Sequence, residues 1–122
     1  MNILLIMSDT FRRDHLGCYG NDWIHTPSID NLAKESVVFD RAYTASFPTV
    51  PNRRDLVTGR FTFTYSDWSP LSQEEVVLAE VLRKAGYVTM LIDDAPHILK
   101  DRYHFDRGFY GWVWIRGREN DR

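Results

Sequence analysis

The sequence predicts an α/β fold built around parallel strands, and three observations carry that reading. Two continuous apolar runs, Ile3 to Met7 and Val88 to Ile92, suit strands buried on both faces. Segments with helix-start and helix-stop chemistry lie between them, giving the order strand, helix, strand, helix, helix, strand. The composition agrees: 122 residues with 43% hydrophobic and 26% charged side chains are enough for one small globular domain with a real core.

The elements follow in order. Ile3 to Met7 forms the first predicted strand, and Asp9 stands just past its C-terminal end. Thr26-Pro27 predicts a helix start, with Thr26 as N-cap and Pro27 at the first helical position, running to about Glu35. Val37 to Phe39 is a short strand candidate. Tyr43 to Pro51 is rich in Thr, Ser and Pro and reads as a loop feeding a helix over Pro51 to Val57, closed by Gly59. Arg60 to Ser69 is aromatic and polar without periodicity. Ser72 and Glu75 form a capping box. Val77, Leu78, Val81, Leu82 and Ala85 supply an apolar helix face after it, and Gly86 ends that helix. Val88 to Ile92 closes the pattern. Phe105 to Ile115 is dense in aromatics and is expected to be core or a subdomain contact. With no closing element after it, the chain reads as the N-terminal piece of a larger domain.

Charge and cysteine content exclude several classes. The formal net charge is −2 and the basic residues are scattered, so neither nucleic acid nor a membrane is an expected partner. One cysteine, Cys18 in a turn-like stretch, allows no intrachain disulfide. Five apolar residues at the N-terminus are too few for a signal-peptide core or a membrane span, which makes the cytoplasm the simplest location. His15, His25 and His104 form no metal-ligand pattern with one another.

Three places carry chemistry. The stretch Thr49 to Arg60, Thr-Val-Pro-Asn-Arg-Arg-Asp-Leu-Val-Thr-Gly-Arg, puts a hydroxyl at the start of a helix and Arg53 one turn later. Residues four apart share a helix face, and first-turn N–H groups favour anions. A nucleophile and an anion clamp therefore aim at one spot. The residues alone also allow an ordinary N-cap threonine and a surface arginine. Arg54, a third of a turn away, is the expected surface charge. Asp9 beyond a strand end lies where open α/β sheets bind ligands, and it is a hard oxygen ligand for Ca²⁺, Mg²⁺ or Mn²⁺; alternatively it is a turn residue. His97 follows Asp93-Asp94-Ala95-Pro96 and is either a site histidine or a turn histidine after proline.

These strings resemble the sulfatase family of the alkaline phosphatase superfamily over nearly the whole chain. The family signature runs Cys/Ser-x-Pro-x-Arg, four residues, Thr-Gly; Pro51, Arg53, Thr58 and Gly59 fall in register, while Thr49 replaces the Cys or Ser that becomes formylglycine. Asn2 to Asn21 is similar to the family opening, in which the strand ends in a metal-binding Asp, here Asp9, with Thr10 as a weaker neighbouring ligand. Gly86 to His97 looks like the family segment Gly-Tyr-x-Thr, strand, Gly-Lys-x-x-His. His97 falls on the substrate-contacting histidine, and Asp94 falls where many members carry a sulfate-binding Lys. Lys100 carries a charge nearby at the wrong spacing.

The resemblance implies a mainly parallel sheet with helices on both faces, residues 1–122 being the N-terminal portion of one catalytic domain. It implies metal-dependent hydrolysis of sulfate or phosphate esters, with Thr49, Arg53 and His97 catalytic and Asp9, Thr10 and Thr49 at the metal. The ion is Ca²⁺ or Mg²⁺, with Mn²⁺ or Zn²⁺ as alternatives. The substrate is a small anionic ester, a sulfated carbohydrate among the candidates. Family members place further ligands, an Asp-His pair, well past residue 122, so the remainder of the domain is an expected partner and the isolated chain is expected to be inactive. Two alternatives stay open. One is a phosphodiesterase or phosphonate monoester hydrolase, which Thr49 favours. The other is a non-catalytic anion-binding or interaction module.

Overall fold

The computed structural model describes residues 1–99 and 102–117. They form an α/β structure with four α-helices and a two-stranded parallel sheet among the described residues. The chain divides into two compact units, Met1–Tyr43 and Thr44–Arg122.

The first unit is built from turns. Short 3₁₀ turns at Arg13–His15 and Gly17–Tyr19 precede helix α1, Pro27–Lys34. Proline opens α1 as expected, but Thr26 does not cap it with its side chain. The Thr26 hydroxyl instead accepts the Gly17 N–H at 3.0 Å and reaches the Asp30 carboxylate at 3.1 Å. Asp30 also accepts the Cys18 N–H at 2.8 Å, so the helix is tied to the turn before it. The two predicted strands of this unit do not form. Ile3 to Met7 and Val37 to Phe39 carry no strand structure, and Leu4, Ile6, Val37 and Phe39 are exposed. An apolar run becomes a buried strand only when a neighbour supplies the hydrogen-bond ladder and other elements cover its faces. Among the described residues the sheet provides neither run with a partner strand.

The second unit holds helix α2, Thr49–Thr58, then a 3₁₀ turn at Thr62–Thr64, helix α3, Leu78–Lys84, strand β1, Met90–Asp93, helix α4, Pro96–Leu99, and strand β2, Gly111–Trp114. Strands β1 and β2 pair in parallel, Met90 opposite Gly111 and Asp93 opposite Trp114, with α4 in the crossover. The parallel partner of the Val88 to Ile92 run is therefore the Trp-Val-Trp segment, not Ile3 to Met7. Helix α2 begins two residues before the predicted Pro51 and ends at Gly59 in the left-handed conformation, φ +68°, with its N–H on the Asp55 carbonyl. Val50, Leu71, Val77, Ala95, Ile98 and Phe105 form the core. The expected capping box survives only as a turn. The Ser72 N–H donates to Glu75 Oε2 at 2.6 Å, but Val77 is extended and α3 starts at Leu78, because Glu75 is drawn inward.

Gly108, three residues before β2, is packed closely against α3. It lies at φ +88°, and a Cβ there would fall 2.5 Å from the Glu80 backbone nitrogen. Thr89 donates to the Gly108 carbonyl at 2.9 Å and fixes its place. Gly59 is also left-handed, but a Cβ there meets nothing within 4 Å. Gly59→Ala is therefore expected to cost about 1 kcal/mol from the backbone alone. Gly108→Ala is expected to cost about 3 kcal/mol, with overpacking added to it. Urea unfolding midpoints of the two variants check the difference.

Candidate functional site

Helix α2 presents the centre of the candidate site. Thr49 is its first residue, with Pro48 at the cap position making no side-chain cap, so the threonine hydroxyl is not used up as an N-cap. Thr49 is half-buried and its neighbour Val50 is fully buried, which anchors the start of the helix in the core. Arg53 lies one turn on, on the same face, half-buried, with Nη1 donating to Asn52 Oδ1 at 2.9 Å. Asn52 in turn donates to the Thr44 hydroxyl at 2.7 Å. The arginine is thereby braced at one nitrogen, while its other donors keep the fork geometry suited to a tetrahedral oxyanion.

The underside of α2 corrects the sequence reading. Arg54 is not a surface charge: it is 2% exposed. Its Nη1 donates to Ser66 Oγ at 2.8 Å and Ser69 Oγ at 3.2 Å, and Nη2 donates to the Pro70 carbonyl and to Glu75 Oε2 at 3.3 Å. Nε lies 3.1 Å from Glu75 Oε1 without hydrogen-bond alignment, an ionic contact. Tyr65 donates its hydroxyl to the same Oε1 at 2.8 Å. Burial pushes the Glu75 carboxyl up, but the Tyr65 hydroxyl, the Ser72 N–H and Arg54 together outweigh it and hold Glu75 below its ordinary value. Asp55 behaves alike: burial raises it, and donors from Thr62 and Ser46 bring it below the usual carboxylate range. No sequence signal marked Arg54 as buried.

His97 lies on α4, just beyond the carboxyl end of β1, the end at which open α/β sheets bind ligands. It is exposed and its ring meets Trp68 edge to face, centroids 5.5 Å apart at 81°. The next residue, Ile98, belongs to the same core cluster as Val50, so α4 and the start of α2 are built on common packing. Asp94 is exposed, between the end of β1 and the start of α4. Lys100 lies outside the described residues.

Asp9 and Thr10 belong to the first unit. Asp9 is half-buried at a bend, and Thr10 is exposed at φ +56°, a left-handed conformation that is strained for a β-branched residue. Among the described residues no three His, Cys, Asp or Glu side chains group so as to hold a metal ion. Asp9 is one hard oxygen donor, and the described residues do not complete a ligand set for a divalent cation around it.

A family model described as Sulfatase matches residues 1–117. The chain belongs to the sulfatase family. Arylsulfatase D of Homo sapiens is 36% identical over 105 residues, covering 75% of this chain and 18% of that protein. Iduronate 2-sulfatase of Mus musculus is 34% identical over 118 residues, covering 92% of this chain and 21% of the relative. N-acetylglucosamine-6-O-sulfatase of Bacteroides thetaiotaomicron is 30% identical over 121 residues, covering 96% and 21%. The chain thus spans about a fifth of the length of these sulfatases. No solved structure matches it. No helix among the described residues is long and apolar enough to cross a membrane.

Proposed function

We propose that residues 1–122 are the N-terminal part of a single catalytic domain, and that the whole protein hydrolyses sulfate or phosphate esters with Thr49 as nucleophile. The observation that carries this reading is Thr49 at the first position of α2 with Arg53 one turn along the same face, inside a chain of the sulfatase family. Thr49 Oγ loses its proton to solvent water and bonds to sulfur or phosphorus. The ester bond to the leaving oxygen breaks, and His97 gives that oxygen a proton. Arg53 holds the charge that builds on the transferring group. Water then cleaves the threonyl ester, releasing the anion and restoring the hydroxyl. Asp9 is proposed as one ligand of a divalent cation, Ca²⁺ or Mg²⁺ by its oxygen chemistry, with further ligands in the remainder of the domain.

Thr49 favours phosphodiesters over sulfate esters. Its side chain is a secondary alcohol, which oxidises to a ketone and not to the aldehyde of formylglycine. Sulfated carbohydrates, which the names of some relatives suggest as substrates, are therefore the second choice. The test is a rate comparison on matched nitrophenyl phosphodiester and sulfate esters with the full-length protein. Phosphodiester turnover is expected to be the faster. Arg53→Ala is expected to lower it by roughly 10²-fold. Sulfate turnover exceeding phosphodiester turnover overturns the preference. No turnover of either ester by well-folded, metal-supplemented protein points to a non-catalytic anion-binding module.

A further inference from the structure

The ring of His97 is exposed, and the contact that orients it comes from outside its own element. Trp68 meets it edge to face, yet Trp68 is 41% exposed and stands apart from the core cluster. Core packing therefore does not account for its place. Trp68 lies in an irregular stretch between the Thr62–Thr64 turn and α3, where a chain wanders unless tethered. The tether is Arg54. Its guanidinium donates to Ser66 Oγ, the Asp67 carbonyl at 3.4 Å, Ser69 Oγ and the Pro70 carbonyl, which bracket Trp68 on both sides. The Ser66 and Ser69 hydroxyls lie 3.0 Å apart and close the loop across its base.

We infer that Trp68 is a positioning residue for His97, held in place by Arg54, so that the helix bearing Thr49 and Arg53 also sets the platform of the histidine. The inference rests on the reading of His97 as the proton donor to the leaving group. A side chain on a single-turn helix has few contacts to fix its ring, and a misplacement near 1 Å in a reacting group is enough to lower a rate by orders of magnitude. Trp68 supplies a flat, rigid wall at that point. Arg54 makes its position a property of α2, not of the loop.

The experiment uses the full-length protein and reads His97 directly. Its ring proton resonances, assigned by their loss in His97→Ala, are expected to move in Trp68→Ala as the indole ring current disappears, and to move less in Trp68→Phe. In turnover of a nitrophenyl phosphodiester, Trp68→Ala is expected to lower kcat by about 10- to 100-fold with KM nearly unchanged, and Trp68→Phe to recover most of it. In a His97→Ala background, Trp68→Ala is expected to cost nothing further; a merely structural tryptophan would cost the same in both backgrounds. Arg54→Lys keeps a buried cation but loses the fork, and it is expected to move the Trp68 indole and His97 resonances together. Unmoved His97 resonances in Trp68→Ala, or equal losses in the two backgrounds, overturn the inference. An unchanged kcat in His97→Ala overturns the proton-donor reading instead, and the resonances tell the two failures apart.

Discussion

Thr49→Ala is expected to abolish ester hydrolysis by the full-length protein, a loss on the order of 10⁴-fold or more in kcat, as removal of a nucleophile does elsewhere. The size follows from the absence of a substitute. Val50 and Pro51 carry no nucleophile, and the hydroxyl of Thr58 at the far end of α2 donates to the Arg54 carbonyl at 2.7 Å. The variant also separates chemistry from folding. Thr49 is half-buried at the first helical position, and alanine is a better helix former than threonine. The melting temperature should therefore stay level while the rate collapses. Thr49→Ser keeps an alcohol at the same place and should retain activity within about tenfold. The measurement is turnover of a nitrophenyl phosphodiester beside thermal unfolding of each variant. A rate that survives Thr49→Ala removes the threonine from the mechanism, whatever the rest of the site does.

What the sequence made legible was local. Proline at the start of α1, glycine after α2 and the apolar spacing of α3 act within a turn of chain, and the helices formed close to where those residues put them. The spacing from Thr49 to Arg53 is equally local, because one helical turn fixes it. Strands were a different matter. Ile3 to Met7 and Gly111–Trp114 are both β-prone, yet only the second became a strand, because only it found Met90–Asp93 as a neighbour. Pairing across a crossover is not written in either segment. Burial of charge is non-local in the same way. Arg54 looked like any helix-surface arginine, and its partner Glu75 is 21 residues away, in a segment that looked like a helix cap. The Trp68 contact with His97 joins an irregular loop to a single-turn helix, and neither carries a periodic signal.

Arg54→Ala is expected to be the most destabilising single substitution on α2, costing about 3–5 kcal/mol, as loss of one member of a buried ion pair does. The Arg54 and Glu75 side chains are 3% and 5% exposed. Removing the arginine leaves a carboxylate away from water, with only the Tyr65 hydroxyl and the Ser72 N–H to meet it. It also frees Ser66, Ser69 and the Pro70 carbonyl. The cost should therefore reflect the stranded charge more than the lost attraction. Glu75→Gln tests that directly: its single acceptor oxygen can still take the Ser72 N–H, its NH₂ can donate to the Tyr65 hydroxyl oxygen, and it carries no charge. The double variant Arg54→Met, Glu75→Gln is expected to be more stable than Arg54→Met alone. Acid should act on the same pair. Glu75 is held below its ordinary value of 4.5 and Asp55 below 3.8, so the stability they contribute is fully present above those values. It is lost as the pH falls through the depressed folded values. Urea unfolding from pH 7 downward should show a level midpoint until about pH 4.5 and then a fall, shallower in Glu75→Gln. A midpoint that falls equally in both proteins would assign the acid sensitivity to other carboxylates and leave the buried pair with no part in it.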